Sequence, residues 1–247
     1  LQLNGIEITP ATAAQPLATL STVDVDLQLL PLLFGSQALS IKRLDVDGLT
    51  INAMVDRNGR KNWALPQTSE AALSTTTPQQ DAEEWSLDIA GLEFSDITVH
   101  YQDESTGADY QLTLPTVWTG RLRYDEPADV RYAARVRDNT TAMEASMTGA
   151  GRMSFNAGLN NFTFAELNTR QTIARPGYPD IVLDLLLDGR VNTNEGALSA
   201  TFKGNLGDSP IQGEAGVLIG DRIGITFDIV LEALHGDRFI ATTAADP

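Results

Sequence analysis

Two histidines, His100 and His235, are the residues of this sequence most suited to ligate a metal or to act as acid–base catalysts. A zinc site needs several ligands that converge on one point, and neither histidine belongs to an H-x-x-H or H-E-x-x-H pattern. His100 follows Val99 in an alternating segment, which places it on the polar side of a strand. We interpret it as a solvated strand residue, and the sequence predicts no metal ion and no cofactor.

Four aspartates stand at alternate positions of two segments, as Asp24, Asp26, Asp45 and Asp47. Paired carboxylates could bind calcium, but the later glutamate and oxygen ligands of an EF-hand loop are missing. Alternation explains these acids more simply, since every second residue of an amphipathic strand faces water. The segment 103–109 could also hold calcium loosely, and a plain hairpin turn is the simpler interpretation.

Nucleophilic and phosphate-binding motifs are missing from the sequence. It has no cysteine, which removes thiolate catalysis, disulfides and cysteine-ligated zinc. No G-x-S-x-G elbow, P-loop or G-x-G-x-x-G pattern occurs, and Gly149-Ala150-Gly151 reads as a bend between two strands. We therefore predict that the protein is not an enzyme.

Charge excludes another class of function. The 247 residues include 33 acidic and 17 basic side chains, a formal net charge of −16. Without a basic patch, the phosphate attraction that nucleic-acid binding requires is lacking, and charge-driven binding to an anionic membrane surface is disfavoured. No apolar run approaches the ~20 residues that a membrane-spanning helix needs.

Apolar residues recur at every second position through most of the chain, most regularly over 41–63. Leu44 and Val46 alternate with aspartates, Gly48 interrupts, and Leu49 and Ile51 continue the alternation. Asn58-Gly59 then predicts a type I′ hairpin turn, in which both central residues take positive φ. Trp63 follows the turn, where a large ring can cover the end of the sheet.

Two segments depart from this pattern. Residues 66–84 are rich in Thr, Ser, Gln, Glu and Ala, which predicts a mobile polar loop that a protease would cut first. Residues 29–35 are rich in leucine: Pro31 ends the strand before them, and Leu32-Leu33-Phe34 predict one helical turn that ends at Gly35. The segment 87–94 also matches 44–51 position by position at Leu, Asp, Gly and Leu, which indicates a weak internal repeat.

The predicted fold class is all-β and mainly antiparallel, with roughly twelve to fifteen strands and at most short helices. We treat residues 1–247 as a single domain or a fragment of one. With no helices to cover them, the apolar faces must pack as a sandwich, a closed barrel or a curled gutter.

Several motifs resemble the AsmA family of Gram-negative envelope proteins. One motif is the leucine-rich segment at 29–35, and another consists of Asp56, Gly59, Asn62 and Trp63, which match the pattern D-x-x-G-x-x-N-W. The segment 92–107 resembles a second family block, and 234–239 resembles L-x-x-D-R-Y-L with Phe for Tyr. The resemblance runs loosely from Pro16 to Phe239.

This resemblance implies an elongated sheet curled into a U-shaped apolar groove, similar to that of bridge-like lipid carriers. It implies a periplasmic protein that binds or conducts phospholipid acyl chains between inner and outer membrane and contributes to outer-membrane biogenesis. The groove-lining residues would be the apolar members of the alternating strands: Val23, Val25, Leu27, Leu44, Val46, Leu49, Ile51, Leu92, Phe94, Ile97, Val99, Leu112, Leu114, Leu183, Leu185, Ile225, Phe227 and Ile229.

The resemblance also implies partners and an anchor. The expected ligand is a phospholipid or another acyl-chain lipid, with inner- and outer-membrane proteins as further partners. An N-terminal helix, not contained in this sequence, would anchor the protein to the inner membrane. An exposed sheet edge would allow edge-to-edge self-association. The alternative function is a non-catalytic structural module that assists outer-membrane protein assembly, with its apolar face fully packed.

Overall fold

A single open, curled, mostly antiparallel sheet makes up the described part of the protein. The computed structural model describes residues 1–9, 16–28, 38–63, 86–219, 223–233 and 236, so the predicted turn at 29–35 and the predicted loop at 66–84 lie outside the described residues. The strands are β1 Gln2–Ile8, β2 Ala18–Gln28, β3 Ala38–Val55, β4 Ser86–Ile89, β5 Leu92–Asp103, β6 Ala108–Thr119, β7 Leu122–Arg123, β8 Ala128–Asp138, β9 Met143–Phe155, β10 Asn161–Ala174, β11 Ile181–Asn192, β12 Ala197–Leu206, β13 Ser209–Ile219 and β14 Ile223–Leu231.

The strand order follows the chain almost without interruption, as β1-β2-β3-β5-β6-β8-β9-β10-β11-β12-β13-β14. Short turns join most of these neighbours, and all pairs but those that β3 makes with β4 and β5 are antiparallel. The predicted all-β, mainly antiparallel fold is therefore confirmed. Within the described part of the chain, no helix is long and apolar enough to cross a bilayer.

The parallel pairing of β3 with β5 sets two similar segments side by side. Leu44 pairs with Leu92, and Ile51 pairs with Val99, so each residue faces the one 48 positions later. β4 continues the same offset, since Ile41 pairs with Ile89. The repeat predicted between 44–51 and 87–94 differs from this pairing by five positions and stays a prediction, because strand pairing does not test a likeness of sequence.

A line of bends crosses the middle of the first strands. Gly5 in β1, Gly48 in β3 and Asp96 in β5 have φ values of 64°, 67° and 51°. The strand registers place these three residues beside one another, with Ser21 of β2 between Gly5 and Gly48. A left-handed residue inside a strand redirects the chain. Because the bends share one line, they curl the sheet along it.

The predicted bend at Gly149-Ala150-Gly151 is wrong, since all three residues lie inside β9. Their small size serves close packing instead. A Cβ atom on Gly149 would stand 2.7 Å from the Tyr132 Cζ atom, and one on Gly151 would stand 2.6 Å from the Leu167 Cα atom. The approach of Leu167 comes from a bulge in β10, where Glu166 has φ 52°.

The turn after β3 is a hairpin, but the predicted type I′ geometry is wrong. Gly59 has φ 75°, whereas Asn58 is not among the residues with positive φ. Gly59 N–H donates to the Asp56 carbonyl at 2.9 Å, and Asp56 N–H donates to the Arg60 carbonyl at 2.9 Å. This is a right-handed turn followed by a left-handed glycine. The Asp56 carboxylate favours it by accepting N–H groups from Asn58 and Arg60.

Candidate functional site

One face of the sheet collects apolar side chains from strand to strand. Residues that pair directly across neighbouring strands point to the same side, so each row of pairs belongs to one face. One row contains Leu3, Val23, Val46, Phe94, Val117 and Tyr132. Another contains Leu20, Leu49, Ile97 and Leu114, and a third contains Ala18, Ile51, Val99, Leu112 and Val136. We call this surface the apolar face.

The bends keep these rows together. The apolar spacing across the bend is three residues, as from Val46 to Leu49 and from Phe94 to Ile97. In a regular strand that odd spacing would send the second residue to the opposite face. Gly48 and Asp96 lie within these intervals, and their left-handed backbones interrupt the two-residue alternation. The apolar side chains on both sides of the bend therefore share one face.

The second half of the sheet extends the same face. Directly paired residues of successive strands form one row from β8 to β14. The row consists of Tyr132, Gly149, Thr169, Leu185, Gly204, Ile211 and Leu231. The predicted residues Leu183, Leu185, Ile225, Phe227 and Ile229 therefore lie on the apolar face with those of the first half. The side chain of Leu27 lies outside the described residues. Contact of these residues with a lipid stays a prediction.

Several residues of the apolar face were missed by the sequence analysis. Strands β8, β9 and β10 contribute Tyr132, Ala134, Val136, Ala145, Met147, Thr169 and Ile173. Ala, Gly and Thr occupy many of these positions, so hydrophobicity alone did not reveal the alternation. A two-residue period that counts small residues as apolar would have found them.

Tyr132 makes the most specific contact on the apolar face. Its ring lies over Gly149 of β9, and its hydroxyl is 3.3 Å from the Thr169 Oγ1 atom of β10. The ring thus spans three strands, and Thr169 beneath it is only 4% exposed. Phe202 stands over Gly213 in a similar way, with its Cζ atom 3.0 Å from the place of a Cβ atom.

The apolar face lacks a second layer among the described residues. No large side chain there is fully buried, and β3 and β5 show mostly half-buried residues. In a two-layer sandwich, a second sheet would pack against such a face and bury it. Half-exposed leucine, isoleucine and valine in a continuous sheet surface are typical of a site that contacts other molecules.

A small packed cluster closes one border of the apolar face. Ile89 of β4, Leu122 of β7, Ala128 of β8 and Phe155 of β9 are at most 9% exposed and pack together. The Phe155 ring meets Tyr124 edge-on at 5.9 Å and Phe162 at 6.2 Å. β4 and β7 continue the β5–β6 ladder in the same register beyond Gly91 and Gly120.

An ion pair holds β4 against β7 beside this cluster. The Asp88 carboxylate is 2.6 Å from the Arg121 Nε atom and 3.2 Å from an Arg123 nitrogen. Hydrogen bonding to Arg121, with a further contribution from Arg123, lowers the pKa of Asp88 to about 2. This carboxylate therefore stays ionised at every ordinary pH.

The opposite face of the sheet is polar and carries ion pairs. Arg43 lies 2.6 Å from Asp45 and 3.6 Å from Glu93, and Arg152 lies 2.6 Å from Glu166. His100 is exposed on this side. Among the residues that the structure describes, no three His, Asp or Glu side chains come close enough to hold a metal ion. The acids of the alternating segments thus form the solvated side of the sheet.

Each residue of the D-x-x-G-x-x-N-W motif after β3 has a structural role. Asp56 and Gly59 build the turn, and Asn62 accepts the Met54 N–H at 2.9 Å and donates to the Asn52 carbonyl at 2.7 Å. The Trp63 ring reaches Tyr101 of β5 at 6.4 Å, and Tyr101 stacks with Tyr110 at 6.4 Å. Trp63 thus meets one residue of the sheet and is itself 37% exposed, so its predicted cover of the sheet end stays a prediction. The two tyrosines were not foreseen.

A comparison with protein families agrees with the family likeness of the motif at Asp56, Gly59, Asn62 and Trp63. Residues 1–178 match the model of the AsmA family. The chain belongs to the AsmA family. Curated proteins gave no match to the sequence. AsmA membership fits lipid transport or outer-membrane biogenesis in general terms, and the family is generally non-enzymatic. In this AsmA chain, the apolar face is accordingly the candidate functional site.

Proposed function

We propose that this AsmA chain binds phospholipid acyl chains on its apolar face as part of a lipid path between inner and outer membrane. The observation that carries the proposal is the apolar face itself, which runs in register across the sheet and lacks a covering layer in the described part. Acyl chains would cover the face, while head groups would remain in water. The location would be the periplasm, with membrane proteins as partners at either end.

The residues of the apolar face suit a ligand that moves. Burial of one CH₂ group contributes about 0.8 kcal/mol, so a long acyl chain could gain on the order of 10 kcal/mol before ordering costs. A carrier must also release its ligand. Because leucine, isoleucine and valine recur from strand to strand, a sliding chain exchanges one contact for an equivalent one. No side chain has to react, so no catalytic group is required.

Lipid analysis of the purified protein tests this proposal. The protein is isolated from bacterial membranes without strong detergent, and its extracted lipids are identified by mass spectrometry. We expect phospholipids in an amount comparable to the protein. Protein that carries no lipid under any preparation, and takes up none from phospholipid vesicles, would favour the structural module that assists outer-membrane assembly.

A further inference from the structure

Arg175 lies at the border of the apolar face, directly after the last residue of β10. Two residues before it, Ile173 belongs to the row that also contains Val136, Ala145 and Ile181. The two-residue alternation of β10 leads from Ile173 to Arg175 on the apolar side. A strand rises about 3.3 Å per residue, so the Arg175 Cα atom stands about 7 Å beyond that of Ile173. The apolar side chains of β10 are therefore followed by a cation.

The turn after β10 holds the Arg175 side chain against an aromatic ring. The Arg175 Cζ atom stands 4.4 Å from the centre of the Tyr178 ring. The Tyr178 N–H donates to the Arg175 carbonyl at 3.1 Å, and Gly177 between them has φ 79°. A guanidinium group that stacks by its face keeps its N–H donors at its edge, where they can bind an anion. The turn thus fixes the position of the guanidinium and leaves its hydrogen-bonding edge for another group.

Arg175 differs in its partners from arginines on the polar side of the sheet. Arg152 lies 2.6 Å from a Glu166 oxygen, and Arg170 lies 3.4 Å from an Asp184 oxygen. No carboxylate of the described residues lies within 4.0 Å of the Arg175 nitrogens. The Arg175 Nε atom is also buried, and no acceptor among those residues receives its N–H. Buried donors nearly always have an acceptor, so this nitrogen calls for one from a bound group.

We propose that Arg175 binds the phosphate of a phospholipid whose acyl chains lie on the apolar face. Two phosphate oxygens match the parallel N–H donors of a guanidinium, and such a charge-assisted pair is stronger than a neutral hydrogen bond. The phosphate supplies the acceptor that the Nε atom lacks. The glycerol that joins phosphate to acyl chains spans the distance from Arg175 to Ile173. A neutral lipid leaves the guanidinium unpaired, so Arg175 selects lipids that carry a phosphate.

This inference rests on the proposed function and adds to it the residue that recognises the head group. Competition between two lipids with the same acyl chains tests it. The full chain is incubated with vesicles of dioleoyl phosphatidylcholine and dioleoylglycerol and is re-isolated by gel filtration. Mass spectrometry of the extracted lipids then gives the ratio of bound phospholipid to bound diacylglycerol.

Arg175→Gln should lower this ratio about tenfold, as the loss of one hydrogen bond to a charged group would give. Arg175→Lys should restore part of the ratio, because lysine keeps the charge but not the planar fork. Arg170→Gln is the matched control, since it removes the same charge from the polar side of β10 and should leave the ratio unchanged. Excess inorganic phosphate should not displace the phospholipid, because the acyl chains supply most of its binding free energy.

Two results would overturn the proposal while lipid uptake remains: an Arg175→Gln protein with an unchanged ratio, and displacement of phospholipid by inorganic phosphate, which would assign Arg175 to free phosphate. Uptake of neither lipid by the unmodified chain would overturn the proposed function as well. Circular dichroism should show Arg175→Gln folded. If it is not folded, Tyr178→Leu supplies the same measurement, because Tyr178 is 42% exposed and its loss frees the guanidinium without removing the charge. An unchanged ratio in that variant would then overturn the proposal.

Discussion

Gly48 of β3 lies beside Ser21 of β2 so closely that a Cβ atom on Gly48 would stand 2.7 Å from the Ser21 Cβ atom. The same glycine has φ 67°. Both facts follow from its place on the line of bends, where β2 and β3 approach one another as the sheet curls.

Replacement of Gly48 by alanine should therefore lower the free energy of unfolding by about 2 kcal/mol. The left-handed backbone alone costs a residue with a Cβ atom about 1–2 kcal/mol, and the overlap with Ser21 adds to that. Urea denaturation measures the change. Gly91→Ala is the control, since its Cβ atom would meet nothing closer than the Thr119 carbonyl oxygen at 3.8 Å. Equal effects of both substitutions would contradict a bend at Gly48.

Gly59→Val should destabilise the hairpin after β3 by more than about 1 kcal/mol, because a β-branched residue resists positive φ. No atom lies within 4 Å of the place of its Cβ atom, so the cost comes from the backbone alone. Gly59→Asn should cost less, since asparagine tolerates this conformation better. Thermal melting of the two variants compares them, and a neutral valine variant would show that the turn relaxes.

Asn62→Ala should cost about 1–3 kcal/mol, because it leaves the Met54 N–H and the Asn52 carbonyl without their side-chain partner. Asn58→Ala in the same turn is the control, since Asn58 is exposed. Urea denaturation of both variants decides the matter. If the two substitutions cost the same, the asparagine of the family motif has no special role in joining the turn to β3.

Asp88 should make stability depend on pH in the acidic range. Its pKa is about 2 in the folded protein, against an ordinary value of 3.8. The unfolded chain therefore takes up this proton first, so the stabilisation is complete above about pH 4 and is lost as the pH falls toward 2. The shift corresponds to about 2 kcal/mol at most, and the partial exposure of both arginines reduces it to about 1 kcal/mol.

Asp88→Asn should accordingly lower the free energy of unfolding at pH 7. The difference from the unmodified protein should disappear near pH 2. Urea denaturation at several pH values follows the change. Glu126→Gln serves as the control, because Glu126 is exposed and lies 3.5 Å from Arg123. A constant difference between Asp88→Asn and the unmodified protein at every pH would show that the carboxylate charge is not what holds β4 to β7.

Ile51→Asp tests whether the apolar face is open. Ile51 lies between Ala18 and Val99 and is half-buried. In a closed core an unpaired carboxylate would cost several kcal/mol and the protein would fail to fold. On an open face the carboxylate can reach water, so we expect a folded protein with modest loss of stability. Acyl chains would then meet a charge, and bound lipid should fall.

Thr50→Asp is the matched control for that experiment. Thr50 is adjacent in β3 and pairs with Thr19 and Thr98, so its row lies on the polar side of the sheet. It should keep both stability and lipid content. Thermal melting and lipid mass spectrometry are run on both variants, and a folded Ile51→Asp protein with undiminished lipid would remove the apolar face as the binding surface.

The sequence by itself determined the all-β class and, where large apolar residues alternate, which side of a strand is apolar. Alternation such as Leu49, Thr50, Ile51 is a local property with a period of two residues, so no neighbouring strand is needed to read it. The family likeness was also local, because Asp56, Gly59, Asn62 and Trp63 act within one turn and the strands beside it. These local features fixed the all-β class and most of the apolar face.

Only the tertiary structure decided which strand lies beside which. The parallel register of β3 and β5 brings Leu44 to Leu92 across 48 residues, and nothing in either segment alone specifies that offset. The role of Gly149 likewise depends on Tyr132 in the neighbouring strand, so the sequence suggested a bend where the structure has a close contact. Strand register and close contacts depend on pairs of distant segments, whereas periodicity belongs to one segment. The apolar side of a regularly alternating strand could therefore be predicted, but the pairing of the strands could not.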